Sequence, residues 1–188
     1  PDYTGVMGLN NFDDSWGIWG HNLRKVLGDN VDKVYATIHG KTDDSQLCFS
    51  SEEMYRQIES YIVDNIGEKG SSRFVIAPDD TPYACTCASC TAMGNTEKNA
   101  TPAVTELLLR LSQRFPKHSF FTISYLSTKQ VTDKQLPSNA GIIVSAIDFP
   151  LRRIDGKNAQ EKKFMQQLNQ WKKVSKNIYI WDYINNFD

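Results

Sequence analysis

The 188-residue chain carries 21 basic and 22 acidic residues, a formal net charge of -1, so it has no electrostatic footprint for binding nucleic acid or an anionic membrane surface. Its apolar runs stop well short of the roughly 20 residues that a membrane-spanning helix requires. The length fits one domain with a substantial core. Because the chain starts at Pro1, we expect it to be a portion of a longer protein.

The first half of the chain predicts an alternation of helices and strands. Residues 15–27 place their apolar side chains on one face at helical spacing. Residues 34–38 are a β-rich run, and residues 73–78 are a second one. Between them, Ser50 and Glu53 form a capping box, followed by apolar residues at helical spacing. This half therefore predicts the order helix, strand, helix, strand.

The second half continues the same alternation. Thr101 and Pro102 are expected to be the N-cap and first residue of a helix, and Asn158 with Glu161 caps another. The connection formed by residues 126–140 has no helical periodicity, so this crossover is expected to be irregular. The remaining strands are predicted at 119–125, 141–147 and 178–183.

The pattern as a whole predicts a parallel α/β sheet. Residues 74–77 and 142–147 are almost continuously apolar, which is typical of strands covered on both faces. No glycine-rich phosphate turn follows a strand, so nothing supports nucleotide binding. Five strands are too few for a whole TIM barrel, which needs about 250 residues. An open doubly wound sheet would fit the length, but the residues at the strand ends favour a partial (β/α) barrel of TIM type with about five strands.

Aromatic and acidic side chains follow the predicted strands. In parallel α/β proteins, the C-terminal ends of the strands are where binding and catalytic residues lie. Aromatic rings pack against the C–H faces of sugars, and carboxylates accept hydrogen bonds from hydroxyl groups, so this mixture suits a carbohydrate site. The candidates at the strand ends are His39, Asp79, Asp80, Tyr125, Asp148, Trp181, Asp182 and Tyr183.

The four cysteines of the chain form one pattern. Cys85, Cys87 and Cys90 are clustered after the strand at 73–78, and Cys48 lies upstream. If the strands at 34–38 and 73–78 are parallel neighbours, the loops that follow them meet at the same end of the sheet. Four thiolates are the ligands of a closed structural zinc site without a catalytic role. Two disulfides are the alternative, and free buried thiols are a third; we favour zinc.

Four segments resemble a known family. They are residues 19–23 (Trp-Gly-His-Asn-Leu), residues 46–52 (Gln-Leu-Cys-Phe-Ser-Ser-Glu), Asp80 with the cysteine motif, and residues 181–187. Together they look like domain of unknown function family 4838, whose members are secreted bacterial proteins similar in barrel fold to α-glucuronidases and hexosaminidase-type glycoside hydrolases. The resemblance implies that residues 1–188 are a single portion of a glycosidase-like barrel, truncated at the N-terminal and the C-terminal side. It also implies a secreted, periplasmic or cell-surface location.

The resemblance implies a glycoside hydrolase, whose mechanism needs two carboxyl groups about 5–5.5 Å or about 6.5–9.5 Å apart. We expect Asp80 and Asp148 to be the catalytic candidates, with Asp79 as a third. Side chains alternate along a strand, so Asp79 and Asp80 cannot both face the same side, and Asp80 is the one that matches the family segment. His39, Tyr125, Trp181, Asp182 and Tyr183 are the expected substrate-binding residues.

The chain also departs from these hydrolases. They carry an Asp-Glu pair at a strand end, whereas this chain has Asp79 and Asp80, and no glutamate stands at its predicted strand ends. A non-catalytic carbohydrate-binding or scaffold domain therefore remains the alternative function. His21 lies among tryptophans, and we interpret it as a packed structural histidine.

Overall fold

A parallel sheet with helices against one face forms the centre of the molecule. The computed structural model describes residues 16–28, 31–149 and 158–182. The strands of this part are β1 (Trp16–Ile18), β2 (Tyr35–Ile38), β3 (Lys41–Leu47), β4 (Arg73–Val75), β5 (Ser119–Ser124), β6 (Ala140–Ser145) and β7 (Asn177–Trp181). The α-helices are α1 (Glu52–Tyr61), α2 (Ala88–Ala92), α3 (Thr101–Arg114) and α4 (Ala159–Val174). Shorter helical turns are Leu23–Val26, Val31–Lys33, Ile62–Ile66 and Leu126–Thr128.

The main sheet has five strands in the order β1-β4-β5-β6-β7, and every neighbouring pair is parallel. The order follows the chain from one edge to the other and never reverses. A doubly wound sheet reverses its order at a switch point, which places helices on both faces. Without a reversal, crossovers of one hand place their helices on the same face. The predicted parallel α/β sheet is therefore confirmed. The sheet is singly wound, with its crossover helices on one face.

Residues 34–38 were predicted to be a strand of the parallel sheet, and this placement is wrong. Residues 34–38 were expected to run parallel to the strand at 73–78, but β2 pairs with β3 in a separate antiparallel hairpin. His39 and Gly40 form its turn with φ angles of 50° and 77°. Positive φ at both central residues is the signature of the type I′ turn, whose twist suits a two-residue hairpin loop. His39 therefore lies at a hairpin tip and not at the end of a parallel strand.

The predicted helix at 15–27 is also wrong. Trp16 pairs with Arg73 and Ile18 with Phe74, so Trp16–Ile18 is the first strand of the sheet, and only Leu23–Val26 forms a helical turn. Gly17 makes the pairing possible, because a Cβ there would lie 2.2 Å from the Phe74 ring. Strand pairing and the packing of Phe74 outweigh the helical spacing of the tryptophans.

Three helices cover one face of the sheet. Residues of α1 and α3 share one buried cluster with Phe74 and Phe120, and α4 contributes Trp171 to a second cluster with Ile142. Trp171 also donates a hydrogen bond from Nε1 to Ser124 Oγ at 3.0 Å. Asn158 caps α4 as predicted, whereas Ala100 precedes α3 where Thr101 was expected. The helices in the described ranges are too short or too polar to cross a membrane.

The opposite face of the sheet is aromatic. Phe121 is buried on it between apolar side chains of β4 and β6, and Tyr179 of β7 packs against Phe121 with ring centroids 5.2 Å apart. Gly141 of β6 supplies the space that Phe121 needs. We refer to six side chains of this layer as the aromatic face: Trp16, Trp19, Phe121, Tyr125, Tyr179 and Trp181.

The aromatic face joins the two edges of the sheet. The ring centroids of Trp16 and Tyr179 are 6.0 Å apart, and those of Trp19 and Trp181 are 5.3 Å apart at an interplanar angle of 22°. A flat sheet of five strands would hold its outer strands about 19 Å apart. The sheet is therefore strongly curved and concave on its aromatic side. In the described residues, β1 and β7 form no hydrogen-bonded pair, so this part of the sheet is not closed.

Adding a methyl group to Gly141 tests how tightly the aromatic face is packed. A Cβ there would lie 2.4 Å from the Asn177 carbonyl oxygen and 2.6 Å from a Phe121 ring carbon. We expect Gly141→Ala to lower the free energy of unfolding by about 1–3 kcal/mol. Gly28→Ala is the matched control, since nothing lies within 4 Å of its added Cβ, and should change stability by less than about 0.5 kcal/mol. Equal urea midpoints for the two variants would contradict this packing.

Candidate functional site

The four cysteines converge on one point. Their sulfur atoms all lie within 4.8 Å of one another. Cys48 Sγ is 3.7 Å from Cys87 Sγ and 3.8 Å from Cys90 Sγ. All four are free thiols, and only Cys87 is partly exposed. The predicted convergence is confirmed, and the cluster contains no disulfide.

The hairpin and the segment after β4 build this cluster together. Cys48 follows β3, and its N–H donates to the Val34 carbonyl at 2.7 Å. On the other side, Thr86 donates to the Thr37 carbonyl from both its N–H and its hydroxyl, at 2.8 and 3.0 Å. The loops thus meet because the hairpin packs against the segment after β4. Our expected reason, two neighbouring parallel strands, was wrong.

Ser50 is a member of the cluster that sequence reasoning missed. Its hydroxyl is 3.1 Å from Cys90 Sγ, 3.3 Å from Cys48 Sγ and 3.5 Å from Cys87 Sγ. We had assigned Ser50 to the helix cap, but Ser51 performs that role by accepting a hydrogen bond from Met54 N–H. The position of Ser50, two residues after Cys48, is the sequence feature that could have indicated its place in the cluster.

The cluster favours negative charge on one sulfur, that of Cys85, and disfavours it on Cys48 and Cys90. Hydrogen bonds from the Cys48 and Cys90 thiols lower the pKa of Cys85, and the Thr37 N–H adds to this effect from 3.2 Å. The same contacts raise the pKa values of Cys48 and Cys90 above the ordinary range. The Cys90 N–H lies 3.5 Å from Cys87 Sγ at the start of α2. The arrangement could hold a metal ion, because each side chain offers one sulfur ligand.

Asp79 is held in place by two polar side chains. Arg24 donates to Asp79 Oδ2 from Nε at 2.7 Å, and its Nη2 forms an ion pair with the same oxygen at 2.6 Å. This hydrogen bond raises the pKa of Arg24. The buried Gln46 accepts a hydrogen bond from the Asp79 N–H at 3.0 Å and donates to the Tyr83 carbonyl at 3.2 Å. Asp79 is thus an ion-paired anchor, and the assignment of Asp80 as the functional carboxylate stays a prediction.

The three predicted catalytic carboxylates have different surroundings. Asp80 is exposed and has no hydrogen-bonding or ionic partner among the described residues. Asp148 is also exposed, and its Oδ2 is 2.5 Å from Lys129 Nζ. No contact brings Asp80 and Asp148 together, so their pairing stays a prediction.

The predicted substrate-binding residues fall into three groups. Tyr125 and Trp181 belong to the aromatic face, and Asp182 is exposed directly after β7. His39 is exposed at the hairpin tip, where its ring packs against Tyr83 at 5.6 Å and its Nδ1 is 3.7 Å from Glu97. Tyr183 lies outside the described residues.

Trp19, which sequence reasoning did not propose as a site residue, pairs with Trp181 at the carboxyl end of the sheet. The ring of His21, two residues later, is 6.1 Å from the ring of Tyr125. Gly20 allows this turn by adopting a φ of 59°. The spacing of Trp16 and Trp19 indicated that the two side chains lie close together, but it predicted a helix where the structure has a strand and a turn.

Fold and site together define a parallel α/β domain with a four-thiol cluster beside the carboxyl end of its sheet. Residues 24–188 match the family described as "Domain of unknown function (DUF4838)", and the chain belongs to this family. The family assignment made from the sequence is therefore confirmed. Neither the curated proteins nor the solved structures contain a match to the chain.

Removing the Gln46 side chain tests how Asp79 is anchored. Gln46 is 1% exposed, and its Oε1 accepts from both Leu47 N–H and Asp79 N–H. We expect Gln46→Ala to cost about 1–3 kcal/mol of folding free energy, because it leaves these donors without their acceptor. Gln166→Ala on the exposed side of α4 is the control and should be close to neutral. Chemical denaturation measures both variants, and equal stability would refute the anchoring role.

Proposed function

We propose that this chain is part of a glycoside-hydrolase-like (β/α) barrel of a secreted or cell-surface protein that acts on or binds a complex polysaccharide. The proposal rests on the aromatic face, a concave layer of rings on a parallel sheet. The order of the strands in this sheet follows their order in the chain without reversal. Single winding, helices on one face and strong curvature are the features of a barrel wall.

The chemistry of the aromatic face supports a sugar ligand. Trp181 and Tyr125 are partly exposed, and Tyr179 is 43% exposed, so flat apolar surfaces with polar edges border the concave side. Aromatic side chains with one wet edge suit ligands that have both apolar and hydroxyl-bearing sides. Asp80, which follows β4 at the same end of the sheet, would supply a carboxylate for hydroxyl groups or for proton transfer.

A second candidate function, binding without hydrolysis, is favoured by the partners of the acids. Asp79 is paired with Arg24 and Asp148 with Lys129, which leaves Asp80 as the one predicted catalytic carboxylate without a partner among the described residues. Glycosidases use two carboxyl groups, so hydrolysis requires that Asp148 leave Lys129 or that another carboxyl group take part.

We further propose that the four thiols hold a structural zinc ion. Tetrahedral zinc with Zn–S bonds of about 2.3 Å places its sulfurs about 3.8 Å apart, close to the 3.7 and 3.8 Å separations of Cys48 from Cys87 and Cys90. Four sulfur ligands leave no open position, so the ion would stabilise the fold and take no part in a reaction. It would fasten the hairpin to the segment that follows Asp80.

Replacing Trp181 tests the aromatic face as a sugar-binding surface. We expect Trp181→Ala to weaken binding of glucuronate-bearing or N-acetylhexosamine oligosaccharides at least about tenfold, or about 1.4 kcal/mol, in isothermal titration calorimetry. Val63→Ala trims an exposed apolar side chain in the helical turn Ile62–Ile66, outside the aromatic face, and should leave affinity unchanged. Equal affinity of the two variants would argue against this surface.

Replacing Asp80 distinguishes hydrolysis from binding. If Asp80 transfers a proton, Asp80→Asn should reduce release of reducing sugar by about 2–4 powers of ten while the protein stays folded. If the domain only binds, wild-type protein releases no sugar and the variant shows reduced affinity alone. Asp133→Asn, an exposed carboxylate between β5 and β6, is the control. Full hydrolysis by Asp80→Asn would overturn the catalytic assignment.

Elemental analysis tests the metal proposal. We expect about one zinc ion per chain in the purified protein, lost in Cys90→Ser together with several degrees of thermal stability, since ion binding contributes to folding. Ser89→Ala alters the neighbouring exposed residue and should keep both zinc and stability. Metal-free wild-type protein with unchanged stability in Cys90→Ser would refute a structural ion.

A further inference from the structure

The three histidines of the chain have different surroundings. His118 is fully buried and uses both ring nitrogens: Nδ1 accepts from Ser72 N–H at 3.1 Å, and Nε2 lies 2.8 Å from the Gly67 carbonyl oxygen. His39 is exposed at the hairpin tip. His21 is half-buried, and its Nδ1 lies 2.6 Å from the Pro78 carbonyl oxygen. Its Nε2 has no hydrogen-bonding partner in the part of the chain that the structure describes.

The contact with Pro78 fixes the tautomer of His21. A carbonyl oxygen only accepts hydrogen bonds, so Nδ1 must carry a proton. In the neutral ring the Nε2 lone pair is then free to accept a hydrogen bond. Fully buried His118 uses both nitrogens within the protein, as buried polar groups do, whereas half-buried His21 uses only Nδ1 and leaves Nε2 for solvent or a ligand.

His21 also lies close to residues that follow several strands of the sheet. It follows β1, it is bonded to the residue that precedes Asp79 after β4, and its ring lies 6.1 Å from that of Tyr125 after β5. Trp19, in the same turn, reaches Trp181 at the end of β7. Imidazole, aromatic rings and the exposed Asp80 thus share the carboxyl end of one curved sheet.

We propose that His21 is a ligand-binding residue of this site and that its Nε2 accepts a hydrogen bond from a hydroxyl group of the bound glycan. The inference rests on the proposed carbohydrate function and adds a specific acceptor to it. It replaces our sequence-based interpretation of His21 as a packed structural histidine. Pro78 holds the ring, so the acceptor is preorganised and loses little side-chain entropy on binding.

The variant His21→Asn separates the two nitrogens. The Asn amide nitrogen takes the place of Nδ1 and preserves the bond to the Pro78 carbonyl, whereas nothing replaces Nε2. With the same oligosaccharides as probes, we expect thermal stability to be retained and affinity to fall about five- to tenfold, the value of one hydrogen bond. Unchanged affinity in His21→Asn, with reduced affinity in Trp181→Ala, would overturn the role of His21 and leave the proposed function intact. Failure of the wild-type protein to bind any of the probes would overturn the proposed function, and the assignment of His21 would fall with it.

A second measurement covers the case in which His21→Asn does not fold. Diethyl pyrocarbonate acylates unprotonated, accessible imidazole nitrogen, and peptide mass spectrometry locates the product. Without sugar, His21 and the exposed His39 should react, and His118 should not. Saturating oligosaccharide should slow the reaction of His21; equal rates at His21 with and without bound sugar would contradict the proposal.

Discussion

The packing of the hairpin against the segment after β4 is the contact on which the candidate site depends. Between Val75 and Thr101 the chain forms the short helix α2 and turns with internal bonds such as that from Ala84 N–H to the Glu97 carbonyl. The hairpin adds the bonds that fix where this segment lies, from Thr86 to Thr37 and from Asp79 to Gln46. The thiol cluster lies at the centre of the same contact, with Cys48 on the hairpin side and the other three sulfurs on the segment.

This arrangement links the cysteines to the carboxylates through a short path. Gln46 stands two residues before Cys48 and holds the backbone of Asp79, and Asp80 follows directly. A change in the distance between hairpin and segment would therefore reach Asp80 through one buried amide side chain. The thiol cluster and the exposed carboxylate of Asp80 are chemically separate, but both depend on the packing of the hairpin against the segment after β4.

The sequence predicted the parts of the structure that local patterns determine. The apolar runs at β4, β5 and β6 and the cap of α4 were correct, because burial on both faces and capping leave local signals. The strand β7 was also correct, although it is partly exposed, because its residues have high β-propensity. The strand at Trp16–Ile18 was missed because its conformation depends on Phe74, which is distant in sequence. The hairpin was missed because Lys41–Leu47 is largely polar and the turn signal at His39 and Gly40 lacks the usual Asn or Asp. For the site, the cysteine spacing predicted convergence, whereas the contacts of Gln46 with Asp79 and of His21 with Pro78 arise only in the tertiary structure.

The separation in sequence between Trp16 and Arg73 has a consequence for the order of folding. The hairpin joins residues close in sequence through its tight turn, whereas β1 must find β4 across the hairpin and α1. Closing long loops is slow and entropically costly, so local hairpins form first and distant strand pairs later. β1 has three residues and one sheet neighbour among the described strands. It should therefore be the last strand to join the sheet and the first to exchange its amide hydrogens, which makes the turn that carries Trp19 and His21 the least protected part of the site.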